Sequence, residues 1–189
     1  MMSPSVPART WWSALLALVL AGVLAGCAAP APLDYAAETP VLDLRRYFDG
    51  ELTAHGIFTD RSGKVVKRFT VRMNARWEGD AGVLDEAFTY SDGSTERRVW
   101  RLARLPDEAG EARYTGRADD VVGVAQGRAA GNALRWTYTL RLPLESGPLE
   151  VQFDDWMFLV DERVMLNRAV MSKFGFYLGE VTLSFIKHS

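Results

Sequence analysis

One cysteine, Cys27, and two histidines, His55 and His188, are all the thiol and imidazole chemistry in this 189-residue chain. A lone cysteine excludes an intramolecular disulfide. Neither histidine has a second ligand at metal-binding spacing or the partners of a nucleophilic triad, which argues against a structural zinc and a His-based hydrolase. No phosphate-cradling glycine loop and no nucleophile motif is present. Positive charge is in slight deficit, 22 Lys plus Arg against 24 Asp plus Glu, so nothing points to nucleic acid. The many arginines read as the solvated face of surface strands. No apolar run reaches the ~20 residues that a helix needs to cross a bilayer.

What is present begins at the N-terminus. Trp11 to Leu24 is apolar except for Ser13, and Arg9 is the one charge before it. That is the layout of a signal peptide. Leu24-Ala25-Gly26-Cys27 resembles the bacterial lipobox, in which cleavage precedes the cysteine and the thiol takes a diacylglyceryl group. The resemblance implies a signal peptide over residues 1–26 and lipid attachment at Cys27. Two or three acyl chains, at about 0.8 kcal/mol per buried methylene, make such an attachment stable. With Ala28 rather than aspartate after the cysteine, the resemblance further implies the outer membrane, facing the periplasm. Residues 27–40 are rich in Ala and Pro and are expected to be an extended tether. Val41, Leu44 and Phe48 follow at helical spacing after Pro40, which predicts a short helix over 41–48.

From Gly50 the period changes to two. Phe69, Val71, Met73, Ala75 and Trp77 alternate with Arg68, Thr70, Arg72, Asn74 and Arg76, a half-buried strand. Turn signals at 60–63, 91–93, 131–132, 161–162 and 172–175 divide residues 41–189 into about ten strands without a parallel crossover. The expected fold is all-β: an antiparallel up-and-down meander closing as a lipocalin-like barrel, with a β-sandwich as the alternative. Folding at each turn predicts registers. Glu86 falls opposite Arg98, Gly127 opposite Trp136, Asp155 opposite Arg168, and Val170 opposite Tyr177. Small residues of one strand face large residues of the next around Gly131-Asn132, as a curved, filled barrel requires. The other face of the last strands also reads as apolar, with Trp156, Phe158, Met165, Met171, Phe176 and Leu178, so a cover is expected there: the 41–48 helix, a partner or the membrane surface.

Three segments carry a family likeness: Asp60-Arg61-Ser62-Gly63; Tyr90-Ser91-Asp92-Gly93 with Arg98 and Trp100; and Asp154-Asp155-Trp156-Met157 with Asn167-Arg168 and Ser172-Lys173-Phe174-Gly175. Together they resemble bacterial lipoproteins of the domain of unknown function 3833 family. The resemblance implies a periplasm-facing lipoprotein without assigned catalytic residues and with no cofactor, found near genes for acyl-chain modification. The likeness to lipocalins is architectural only, because Gly50-Glu51-Leu52 has leucine where their Gly-x-Trp start has tryptophan.

The candidate site is the presumed inner face. Glu86, Arg98, Asp155 and Arg168 are charges among Tyr90, Trp100, Trp136, Tyr138, Phe153 and Tyr177. Buried charge is costly unless paired, so this set reads either as self-satisfied structural pairs or as a grip for the polar head of a lipid whose tail lies among the rings. Adjacent Asp154 and Asp155 point to opposite faces and cannot act on one substrate. Two functions follow: a carrier of a fatty acid or phospholipid, or an envelope interaction module with a filled barrel. An enzyme ranks below both, since no reacting group is identified.

Overall fold

The protein is described here by a computed structural model, which covers residues 29–143 and 147–188. Cys27 and the expected signal peptide lie outside the described residues. Ten antiparallel strands close into a barrel in the order β1-β10-β9-β8-β7-β6-β5-β4-β3-β2. They are β1 (Gly50–Asp60), β2 (Val65–Glu78), β3 (Ala81–Tyr90), β4 (Thr95–Glu108), β5 (Glu111–Arg117), β6 (Val121–Ala130), β7 (Ala133–Leu142), β8 (Leu149–Leu159), β9 (Val164–Lys173) and β10 (Phe176–Lys187). Each strand pairs with its neighbours in sequence, and β1 with β10 completes the ring. The meander is confirmed and the sandwich alternative falls.

Period-two alternation decides which residues fill the barrel, and large rings lie over missing side chains. A Cβ on Gly127 would stand 2.3 Å from the Trp136 ring, and one on Gly116 2.6 Å from it. Gly56 and Gly82 make the same room for Phe69 and Trp77. The small-against-large pattern predicted around Gly131 is therefore real near that turn, where Gly127 pairs with Trp136 and Ala129 with Leu134. A bulge after Val122 then pairs Val121 with Leu140, where an unbroken register from the Gly127-Trp136 pair would have given Leu142.

Two other hairpins also differ from the expected register. In β8–β9 the loop is one residue longer than Asp161-Glu162 alone: Val160 N–H donates to the Val164 carbonyl, and the Asp161 carboxylate accepts from the Arg163 and Val164 N–H groups. Leu159 therefore pairs with Met165, and Asp155 with Ala169. A one-residue slip exchanges the faces of a strand. Arg168 turns outward, Asn167 inward, and Met165 is fully buried. In β9–β10, Phe174 and Gly175 form a two-residue loop with φ of 51° and 80°, the left-handed pair that a tight hairpin uses. Tyr177 pairs with Ser172, not Val170, and remains 43% exposed.

The N-terminal segment closes one end of the barrel. The helix is a single turn, α1 (Leu44–Tyr47), capped by Asp43, whose carboxylate accepts from Arg45 N–H at 2.9 Å and from the Tyr114 hydroxyl at 3.1 Å. Leu42, Leu44, Tyr47 and Phe48 are buried, while Val41 is exposed. Trp77 Nε1 donates to the Phe48 carbonyl at 2.9 Å, and Lys187 Nζ to the carbonyls of Tyr47 and Asp49 at 3.0 and 2.8 Å. A cation on the last carbonyls of a helix satisfies groups that have no backbone partner.

The tether expectation needs correction from Ala31 onward. Pro32–Tyr35 forms a 3₁₀ turn packed on β6 and β7. Tyr35 meets Trp156 and Phe158 edge-on at 6.0 and 5.1 Å between ring centres. This segment, rather than the helix, covers the apolar outer face of β8. Gly131 makes the approach possible, because with φ of 53° a Cβ there would lie 1.7 Å from the Tyr35 carbonyl oxygen. Gly131→Ala is accordingly expected to undock residues 32–35 and cost about 1–3 kcal/mol. A red-shifted tryptophan emission together with a lowered melting temperature checks it.

Candidate functional site

The barrel interior holds a cavity of about 140 Å³. Leu44 and Phe48 form its floor, and the exposed hydrogen bond from the Tyr90 hydroxyl to Glu96 (2.8 Å) marks the opposite end. Eight of the ten residues expected inside line it: Glu86, Tyr90, Arg98 and Trp100 from β3 and β4, and Trp136, Tyr138, Phe153 and Asp155 from β7 and β8. Arg168 and Tyr177 do not. Arg168 pairs with Glu180 on the outside at 2.7 Å, and Tyr177 stands exposed at the start of β10. Phe58, Phe69 and Phe88 complete the aromatic wall; only their alternation, not their role, was readable in advance.

The rings are mutually packed. Tyr138 stacks on Phe153 at 4.9 Å with 7° between planes, and Trp100 meets both Trp136 and Tyr138 edge-on at 5.9 and 5.6 Å. Offset stacks and edge contacts are the favoured geometries of aromatic pairs. They set a rigid, apolar wall around the few polar groups. The Tyr138 hydroxyl makes no hydrogen bond among the described residues, and burial pushes its pKa well above the ordinary tyrosine value.

The charges are arranged differently from the predicted pairs. Glu86 does stand opposite Arg98, yet their closest approach is 4.0 Å. The main partner of Arg98 is Asp120, in the turn before β6, at 2.7 Å from Nη2 and 2.9 Å from Nε. Glu96 adds a contact at 3.6 Å, and the guanidinium lies 5.5 Å from the centre of the Phe88 ring. Burial alone would lower the pKa of Arg98, but Glu86 and Asp120 outweigh it and hold the group charged. Asp120 was missed because it is 22 residues from Arg98 and belongs to no shared hairpin.

Glu86 accepts a hydrogen bond from Trp100 Nε1 at 3.2 Å. Burial pushes its carboxyl up to about 7 against the opposing pull of Arg98. Asp155 accepts from Asn167 Nδ2 rather than pairing with Arg168. Burial raises it to about 7 as well, Asn167 notwithstanding, with the Asp154 carboxylate and then Glu86 contributing. A buried carboxyl with that affinity for protons is able to change charge near neutrality.

Both histidines are on the outer surface, so no imidazole reaches the cavity. Among the described residues no group of three or more His, Cys, Asp or Glu side chains gathers at a metal-binding geometry, and no described helix is long and apolar enough to cross a membrane. The site is a pocket of apolar and aromatic surface with a few convergent polar groups, the common form of small-molecule sites.

Among solved structures, an S-type phycobiliprotein lyase, CPES, from Guillardia theta superposes with a TM-score of 0.53 at 6% identity, over 75% of this chain and 88% of its own. At that identity the likeness concerns the fold. A chain described as EF1p2_mFAP2b bound to DFHBI gives a TM-score of 0.40 at 10% identity, over 77% of this chain and 100% of its own, too distant to inform the comparison. No curated protein matches by sequence. The family model described as protein of unknown function (DUF3833) matches residues 21–187, and the chain belongs to that family.

Proposed function

We propose that this chain is a lipid-anchored barrel of the bacterial envelope that holds an apolar ligand, of the kind that the acyl chain of a fatty acid or phospholipid supplies. The observation that carries the reading is the cavity: about 140 Å³ of interior, walled by aromatic rings and floored by Leu44 and Phe48. Side chains fill small barrels completely when no ligand is needed, and larger barrels retain space for one. The lyase that shares the fold is named for its work on phycobiliproteins. The lipobox resemblance at Cys27 supports attachment to the outer membrane on its periplasmic side, within reach of lipid.

Nile red, an uncharged apolar probe, tests this directly. The full-length chain is expected to bind it at one site, with a blue-shifted dye emission and quenching of the tryptophans, since Trp100 and Trp136 line the cavity. No saturable binding would overturn the reading and favour an interaction module.

A further inference from the structure

The polar part of the cavity wall is short of positive charge: Arg98 is its one cation against Glu86 and Asp155. Glu86 and Asp155 belong to β3 and β8, which are diametrically opposite in the ring of strands, so the two carboxyls enter the cavity from facing walls. The one guanidinium of the lining, Arg98, is committed to Asp120 at 2.7 and 2.9 Å and is shared with Glu96. Asp155 has no ion pair among the described residues, and its side-chain partner is Asn167. A separate sign comes from Asn167 itself, which is 3% exposed on the inner face beside Asp155. Its Nδ2 is used by Asp155 and the Trp156 carbonyl, while its Oδ1, an acceptor, has no partner. Negative charge is therefore in excess among the polar lining groups, and an unpartnered acceptor is buried directly behind Asp155.

We propose that the cavity takes an apolar molecule carrying a positively charged nitrogen, an alkylammonium by chemical class, held between Glu86 and Asp155. This rests on the ligand-binding reading of the same cavity and narrows it. An ammonium group supplies the cation that Asp155 lacks and that Glu86 meets only at 4.0 Å in the Arg98 guanidinium it shares with Asp120 and Glu96, and buried charges become tolerable when paired. A carboxylate head would meet Glu86 and Asp155 with Arg98 already occupied, so a free fatty acid fits poorly. The raised proton affinity of both carboxyls agrees with groups that are uncomfortable as anions until a cation arrives.

Matched dodecyl probes decide it. Dodecylamine, dodecanol and dodecanoic acid are titrated into the full-length chain at about pH 8, where the amine remains protonated, and tryptophan emission is followed. The amine should bind about tenfold or more tighter than the alcohol, with the acid weakest. E86Q and D155N should each remove the amine's advantage over the alcohol. Lowering the pH to about 5 should also remove it. The groups facing the two carboxyls are Tyr90 from β3, Glu96 and Arg98 from β4, Asp120 before β6, and Tyr138 from β7. Of these, Arg98 and the tyrosines do not change charge in that interval. Equal affinities for amine and alcohol, or tighter binding of the acid, would overturn the proposal and leave the ligand-binding reading standing. Failure of all three probes to bind would overturn both.

Discussion

Arg98→Met should destabilise the folded protein by about 3–5 kcal/mol at neutral pH, the usual result of removing one side of a buried ion pair. The methionine retains the stem that packs near Phe88, so the loss is electrostatic rather than steric. Glu86, Glu96 and Asp120 all lean on this guanidinium, and its side chain is only 14% exposed. Without it Glu86 is left with the Trp100 indole, and Asp120 is left facing the barrel unpaired. Urea denaturation of the variant, and of the Arg98→Met/Asp120→Asn double variant, measures the coupling. The double variant should recover part of the loss, because it removes the charge that the single variant strands. A cost below about 0.5 kcal/mol would mean that the cluster behaves as an exposed surface pair.

The opposite sign is expected for Glu86→Gln and Asp155→Asn. Both carboxyls rise to about 7 in the folded protein, from ordinary values of 4.5 and 3.8. Between those limits the folded state binds more protons than the unfolded one, so their contribution is fully present below about pH 4 and is lost as pH rises through 7. Above that both are charged in a dry interior. Each amide variant should therefore be more stable than the parent by about 2–4 kcal/mol above neutrality, with the gain gone below about pH 4. The opposite trend from Asp60, Asp85 and Asp92, whose pKa values are lowered by hydrogen bonds from Ser62, Arg97 and Ser94, is common to parent and variant and cancels in the difference. A difference in melting temperature that is flat with pH would contradict the burial of these two groups. Carboxyls that cost the fold stability at working pH are typical of a site kept for function.

Much of this architecture was readable because strand alternation is robust to small errors of register. An even shift leaves a face intact: a tight fold at 60–63 would set Leu52 opposite Val71, and the irregularity at Phe58-Thr59 sets it opposite Met73 instead, yet both lie on the inner face. An odd shift does not, and the β8–β9 loop shows the consequence. Asp161 wraps the backbone of Arg163 and Val164 and adds a residue to the turn, which exchanged Arg168 for Asn167 inside the barrel. Tyr177 was lost for a similar reason, a bulge before Gly179 combined with a tighter turn at Phe174-Gly175. The docked segment was hidden by composition. Ala and Pro disguise residues 31–40 as linker, and only Tyr35 and the positive φ of Gly131 betray the contact. Asp120 was beyond reach because through-space pairing across a barrel leaves no periodic trace.

The central claim is that the interior is a binding cavity and not an incompletely packed core. Ala169 is buried at the cavity wall, and Ala169→Phe would place a ring in the space assigned to the ligand, with strain of about 1–3 kcal/mol. Ala169→Leu, with less added volume, provides the gentler control. Nile red titration of the parent and both variants is the most direct measurement. The account predicts saturable binding to the parent, weaker binding to Ala169→Leu and none to Ala169→Phe, with the β-sheet circular dichroism of all three unchanged. Equal binding by a folded Ala169→Phe variant would contradict it.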